Sequence, residues 1–170
     1  MVIFRFNWLT YVVIILFGCE KPQEYAFIIP KNAKQMLSGD SSKTWILAKK
    51  FNNKTRMNME GCFLKYSQTF RFNGTMKDNA EENRGCGETL EATWKFVKSP
   101  DKKYYLKLEG KKVGELLNIE EDFKYFKILH LSDSIMQLQY YHKQFSNKFT
   151  QITDYWVPEG TKLKDRNFHW

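Results

Sequence analysis

The chain has 170 residues, of which 42% are hydrophobic and 27% charged, a globular balance that excludes the disordered and collagen-like classes. Aromatic residues reach 16% with only 4 Pro and 9 Gly, which favours strands around a well-filled interior in one domain. The net charge of +8 comes from 27 basic and 19 acidic residues scattered without a block of one sign, so it speaks for solubility and against a nucleic-acid partner.

Residues 1–18 carry one charge, Arg5, and an apolar run over 11–17 that falls short of the roughly 20 residues a membrane-spanning helix needs. That pattern predicts a signal peptide. It ends in Leu16-Phe17-Gly18-Cys19, which resembles the lipobox of bacterial lipoproteins: Leu stands three before the cysteine and a small residue immediately before it, with Phe17 where a small residue is usual. The resemblance implies cleavage before Cys19, a diacylglycerol on its thiol and an acylated amine. The protein would then be tethered through an N-terminal lipid to a membrane of the bacterial cell envelope, with the outer membrane expected. An ordinary secretory signal cut nearby, or an anchor helix, is the alternative. Taking 18 residues and their one arginine from 170 residues and a charge of +8 leaves 152 residues and +7.

Three cysteines in an exported chain leave one over. With Cys19 assigned to lipid, Cys62 and Cys86 remain as an even pair around the turn signals Asn73-Gly74 and Gly85-Cys86-Gly87, and a disulfide between them is expected. No further Cys or His lies at zinc-finger spacing, so no metal site is expected.

Residues 19–38 read as a tether and a short helix. The apolar stretch 26–29 is able to dock on the body, and residues 31–37 suit a helix that Asn32 could cap and Gly39 would end. From residue 39 to 160 the period is two. Trp45, Leu47 and Lys49 alternate with Ile46 and Ala48. Over 62–72, Cys62, Leu64, Tyr66, Phe70 and Phe72 share one face, interrupted by Gln68. Asn73-Gly74 then predicts a type I′ hairpin turn, because both residue types tolerate positive φ. Residues 79–88 are loop-like. Further strands are expected around Trp94 and Phe96, around Tyr104, Leu106 and Leu108, and over 113–119, 123–131, 135–141 and 149–157. Residues 161–170 form a charged tail, and no segment after Leu37 sustains a helical period. About eight short antiparallel strands are best relieved of their edges by closing into a single all-β barrel, preceded by the short helix.

Six marks stand in order along this body: Trp45, Cys62, Phe72-Asn73-Gly74-Thr75, Cys86, Thr93-Trp94, and the hairpin from Ile128 through Leu131-Ser132 to Leu138. In that order and spacing they resemble the lipocalin-like domains of exported lipoproteins of Bacteroidetes. The resemblance implies a β-barrel whose members usually have no known ligand, so it bears on fold more than on activity.

No catalytic constellation stands out. His130 and His142 fall on the order of 20 Å apart along their hairpin, His169 lies in the tail, and Glu120-Glu121-Asp122 has the look of a solvated turn. Neither a Gly-x-Ser-x-Gly elbow, a phosphate loop nor a His-Glu-x-x-His helix occurs. A non-catalytic protein without a cofactor is expected. Its interior residues Tyr66, Phe70, Phe72, Trp94, Phe96, Tyr104, Leu106, Leu138 and Tyr140 either line a cup for a small apolar ligand or pack as a solid core. Their bulk favours the core. A solid core would leave function to loops and basic faces that contact an envelope protein or a polysaccharide.

Cys19→Ala is expected to leave the precursor uncleaved or to release the chain to the soluble fraction, since each buried acyl methylene adds about 0.8 kcal/mol of membrane affinity. Cell fractionation with the mass of the product measures this, and a cleaved chain that stays with membranes as before would count against lipidation.

Overall fold

Nine strands follow one another in space almost as they do in sequence, each antiparallel to its neighbour: β1 (Ser42–Asn52), β2 (Thr55–Arg56), β3 (Ser67–Arg71), β4 (Thr75–Asp78), β5 (Glu91–Lys98), β6 (Tyr104–Glu109), β7 (Phe123–Leu131), β8 (Met136–Lys143) and β9 (Phe149–Pro158). These come from a computed structural model that describes residues 27–143 and 148–167. The predicted signal peptide, Cys19 and His169 lie outside the described residues. β9 returns to pair with β1, so β1 and β3 through β9 close an eight-stranded antiparallel barrel; β2 is a two-residue addition to β1. The all-β single barrel expected from the alternating pattern is therefore present.

The barrel has one filled end. Helix α1 (Ala33–Ser38) lies against β1, β3 and β7 and drives Leu37, fully buried, into the interior. Trp45 locks it there: the indole Nε1 donates to the Leu37 carbonyl at 2.8 Å, and Lys43 Nζ donates to the Met36 carbonyl at 2.9 Å. Beneath α1 the side chains of Trp45, Phe70, Met76, Trp94, Ile128 and Met136 form a packed layer. Phe27 and Ile29 pack on the same core, so the last residues of the tether do dock. Asn32 makes no side-chain cap to α1, while Gly39 ends the helix at φ +62°.

Several local expectations are corrected. Residues 62–65 form one helical turn, α2 (Cys62–Lys65), after Gly61 at φ +53°, and the strand begins only at Ser67. The hairpin at Asn73-Gly74 is not type I′: the Gly74 amide donates to the Arg71 carbonyl at 3.0 Å and only Gly74 has positive φ. Asn73 instead accepts the Thr75 amide and hydroxyl on its side-chain oxygen. Phe72 therefore stands in the turn, 41% exposed, with Lys34 Nζ 4.2 Å from its ring centre, and belongs to no interior face. Residues 111–117 are helix α3 (Lys111–Leu117) rather than a strand; Val113, Leu116 and Leu117 recur at helical spacing, and a side chain on Gly114 would come within 3.1 Å of Asp122 and the Glu121 carbonyl.

The alternation of β1 is also corrected, with the largest effect on the interior. A bulge between Leu47 and Lys49 shifts β1 by one residue against β9, so Lys49 is exposed and Lys50, opposite Asp154, turns inward. At the bulge the Leu47 carbonyl accepts from Arg166 Nε at 2.8 Å, and Arg56 donates to the Asp165 carbonyl, which lays the first part of the charged tail along the barrel.

Trp94 is held in the packed end by edge contacts with Phe70 and Phe96 and by donation from Nε1 to the Arg71 and Thr75 carbonyls at 3.2 and 3.1 Å. Trp94→Ala is expected to lower unfolding free energy by about 3 to 5 kcal/mol with cooperativity retained, as read from denaturant melts.

Candidate functional site

The other end of the barrel is open. A cavity of about 430 Å³ enters there, with Leu47, Leu106, Leu108, Phe126, Leu138 and Trp156 as its apolar wall and Leu116 and Leu117 of α3 beside its mouth. Leu106 and Leu138 also touch the layer under Leu37, so they form the floor that separates cavity from core. The disulfide between Cys62 and Cys86 joins α2 to the loop between β4 and β5, and both cysteines line the cavity, with a Cα separation of 5.5 Å.

Strand alternation carries polar groups into this space. Lys50 Nζ lies 2.9 Å from Asp154 Oδ1 and donates to the Tyr140 hydroxyl at 2.8 Å; Tyr140 in turn donates to Asp154 Oδ2 at 2.9 Å. All three bonds join groups on β1, β8 and β9. Across the cavity Tyr66 donates to Asp78 Oδ2 at 2.8 Å and accepts from Gln68 Nε2 at 3.0 Å, while Asp78 Oδ1 takes the amides of Ala80 and Leu90. Burial, reinforced by the neighbouring carboxylates, raises the pKa of both phenols well above the usual tyrosine value.

Lys124 is different. It is 8% exposed, and among the described residues no carboxylate lies within ion-pair distance of it. Its Nζ stands 3.3 Å from His142 Nδ1 and 5.1 Å from the centre of the Tyr140 ring. Burial, with repulsion from Lys50 and despite Asp154, brings its pKa down to about 8. Burial and the two lysines likewise lower that of His142, which therefore meets Lys124 as a neutral acceptor at pH 7. The indole Nε1 of Trp156, in the same wall, is buried without an acceptor.

The expected interior residues divide between the two ends. Tyr66, Leu106, Leu138 and Tyr140 line the cavity; Phe70, Trp94, Phe96 and Tyr104 belong to or pack against the core; Phe72 is outside. A cavity and a packed core are thus both present, one at each end. The sequence alone does not single out Lys50, Lys124 or Asp154. Lys124 is in phase with Phe126 and Ile128, and Asp154 with Ile152 and Trp156, so period two marks both as inward; nothing in the sequence marks the bulge that turns Lys50 in. His142 sits at the cavity and His130 is exposed on the outer face. Among the described residues no three His, Cys, Asp or Glu side chains gather as a metal site, and no helix is long and apolar enough to cross a membrane.

Neither the models of known protein families nor the curated proteins match this chain.

Between pH 8 and 10.5 the unfolded chain holds a proton on Lys124 that the folded chain has released, so this residue's burial penalty fades as pH rises. Lys124→Met is expected to stabilise the fold most near neutrality, with the gain shrinking from pH 8 towards pH 10, below the range where Tyr66 and Tyr140 begin to matter. Paired denaturant melts across this range check it.

Proposed function

We propose that this chain is a non-catalytic, lipid-anchored envelope protein of the lipocalin-like kind, whose barrel holds one small, largely apolar molecule in its open end. The observation that carries this reading is the cavity of about 430 Å³: it opens at the barrel end, its wall is mostly leucine and aromatic, and a few polar groups converge in it. That volume falls in the range of roughly 300–1,000 Å³ typical of small-molecule sites. The anchor rests on the sequence around Cys19 alone. A disulfide between Cys62 and Cys86 accords with export.

A second reading has its own support. The outer face of β6 to β9 displays Tyr125, Tyr141 and Phe149, all exposed, and Tyr105 and Phe123 make edge contacts with Tyr125 beneath Lys107. Such a face suits a tethered adaptor that contacts an envelope protein or a polysaccharide, with the barrel as scaffold.

A neutral dye that fluoresces in apolar surroundings, N-phenylnaphthylamine, separates the two. The folded chain is expected to bind it one to one, and Leu138→Trp, which fills the cavity from its floor, to weaken binding by about tenfold or more. A folded wild-type chain that leaves the dye dark in solution would favour the adaptor.

A further inference from the structure

We propose that the occupant of the cavity carries a singly charged carboxylate on an apolar body, and that Lys124 with His142 holds that head group. This rests on the small-molecule reading above and narrows it to an amphiphile. The cavity is lined by two lysines and one carboxylate. Lys50 is already satisfied, since Asp154 and Tyr140 surround its ammonium at 2.9 and 2.8 Å. Among the described residues Lys124 keeps only His142 and the ring faces of Tyr140 and Phe126, although it is 8% exposed. An ammonium so placed is desolvated without a carboxylate at ion-pair distance, and an anion entering from the open end supplies what is missing.

The groups that face Lys124 from each surrounding element fix its preference. β1 offers Lys50, β8 offers Tyr140 and His142, and β9 offers Asp154; β6 and α3 offer only Leu106, Leu108, Leu116 and Leu117. Asp154 is occupied by Lys50 and Tyr140, and Asp78 behind Tyr66 by that hydroxyl and two backbone amides, which leaves Lys124 as the charge of the lining without a counter-charge. A head with a single charge balances it, and the leucine wall takes the body. In the same wall the buried indole N–H of Trp156 is a second donor with nothing to bond. Because burial holds Lys124 near pKa 8, an anion beside it draws a proton onto the amine when it binds in that pH range.

The test is calorimetric titration of the full chain, synthesised without acylation and oxidised, with decanoate and with decanol, which share a body and differ in the head. At pH 7 decanoate is expected to bind about tenfold tighter or more, the usual weight of a charge-assisted hydrogen bond in a dry site. The preference, read as the ratio of the two affinities in each protein, should fall as pH rises from 7 to 9.5 and should vanish in Lys124→Met. Titration at pH 8 in buffers of different ionisation enthalpy should show proton uptake with decanoate and none with decanol, a measurement on the wild-type chain that does not depend on the variant's folding. Equal affinity for the two molecules, or a preference that survives Lys124→Met, overturns the head-group assignment and leaves the apolar cavity standing. Failure of the folded chain to bind either molecule overturns the cavity's role as a binding site.

Discussion

β1 is paired on both flanks, and the rest of the molecule depends on that. Its first half bonds to β3 from Ser42 to Ile46, and from Trp45 to Asn52 it bonds to β9, so the sheet's first and last long strands are the same seam. Without this seam the sheet would have two long edges and one exposed apolar face; with it, every inward side chain of eight strands meets another across a closed interior. A bulge between Leu47 and Lys49 lies within this seam, and an inserted residue of that kind lets a strand bend and twist as a closed sheet requires.

Closure creates one interior but does not fill it evenly. At the α1 end, tryptophans, a phenylalanine and methionines fill the space, and Leu37 completes the layer with its own carbonyl bonded to Trp45. At the far end the same inward positions bear lysine, aspartate and tyrosine, which cannot pack so tightly because their polar tips need partners at fixed distances. The Lys50, Asp154 and Tyr140 group is a closed circuit of three bonds, so its burial is compensated from within. Lys124 stands outside that circuit, and its burial costs stability that a solid hydrocarbon core would not.

Much of the barrel is legible in the chain. Strict alternation from Ala92 to Phe96 and from Tyr104 to Leu108 carries its own assignment to strands, since period two leaves no other way to bury one face, and the number of such runs leads directly to a closed barrel. The departures have separate physical causes. Residues 113–119 read as a strand because they stand between strands, although Val113, Leu116 and Leu117 recur at three and four. Phe72 continues the alternation of β3 by sequence but not by backbone, because the turn begins at Arg71. Lys49 and Lys50 exchange faces because an inserted residue in one strand reverses every side chain after it, and neither composition nor spacing announces where a closing strand must bend. Lys124 has the inward phase in the sequence itself; a charged residue on an inward position reads as an interruption until the cavity around it is seen.

The covalent link between Cys62 and Cys86 has a consequence for when this protein becomes complete. It fastens α2, which packs on β1 of the closing seam, to the loop between β4 and β5 at the cavity. Oxidation of the two thiols ties these two segments together and so fixes their spacing at the cavity. That step belongs to whichever compartment supplies the oxidant.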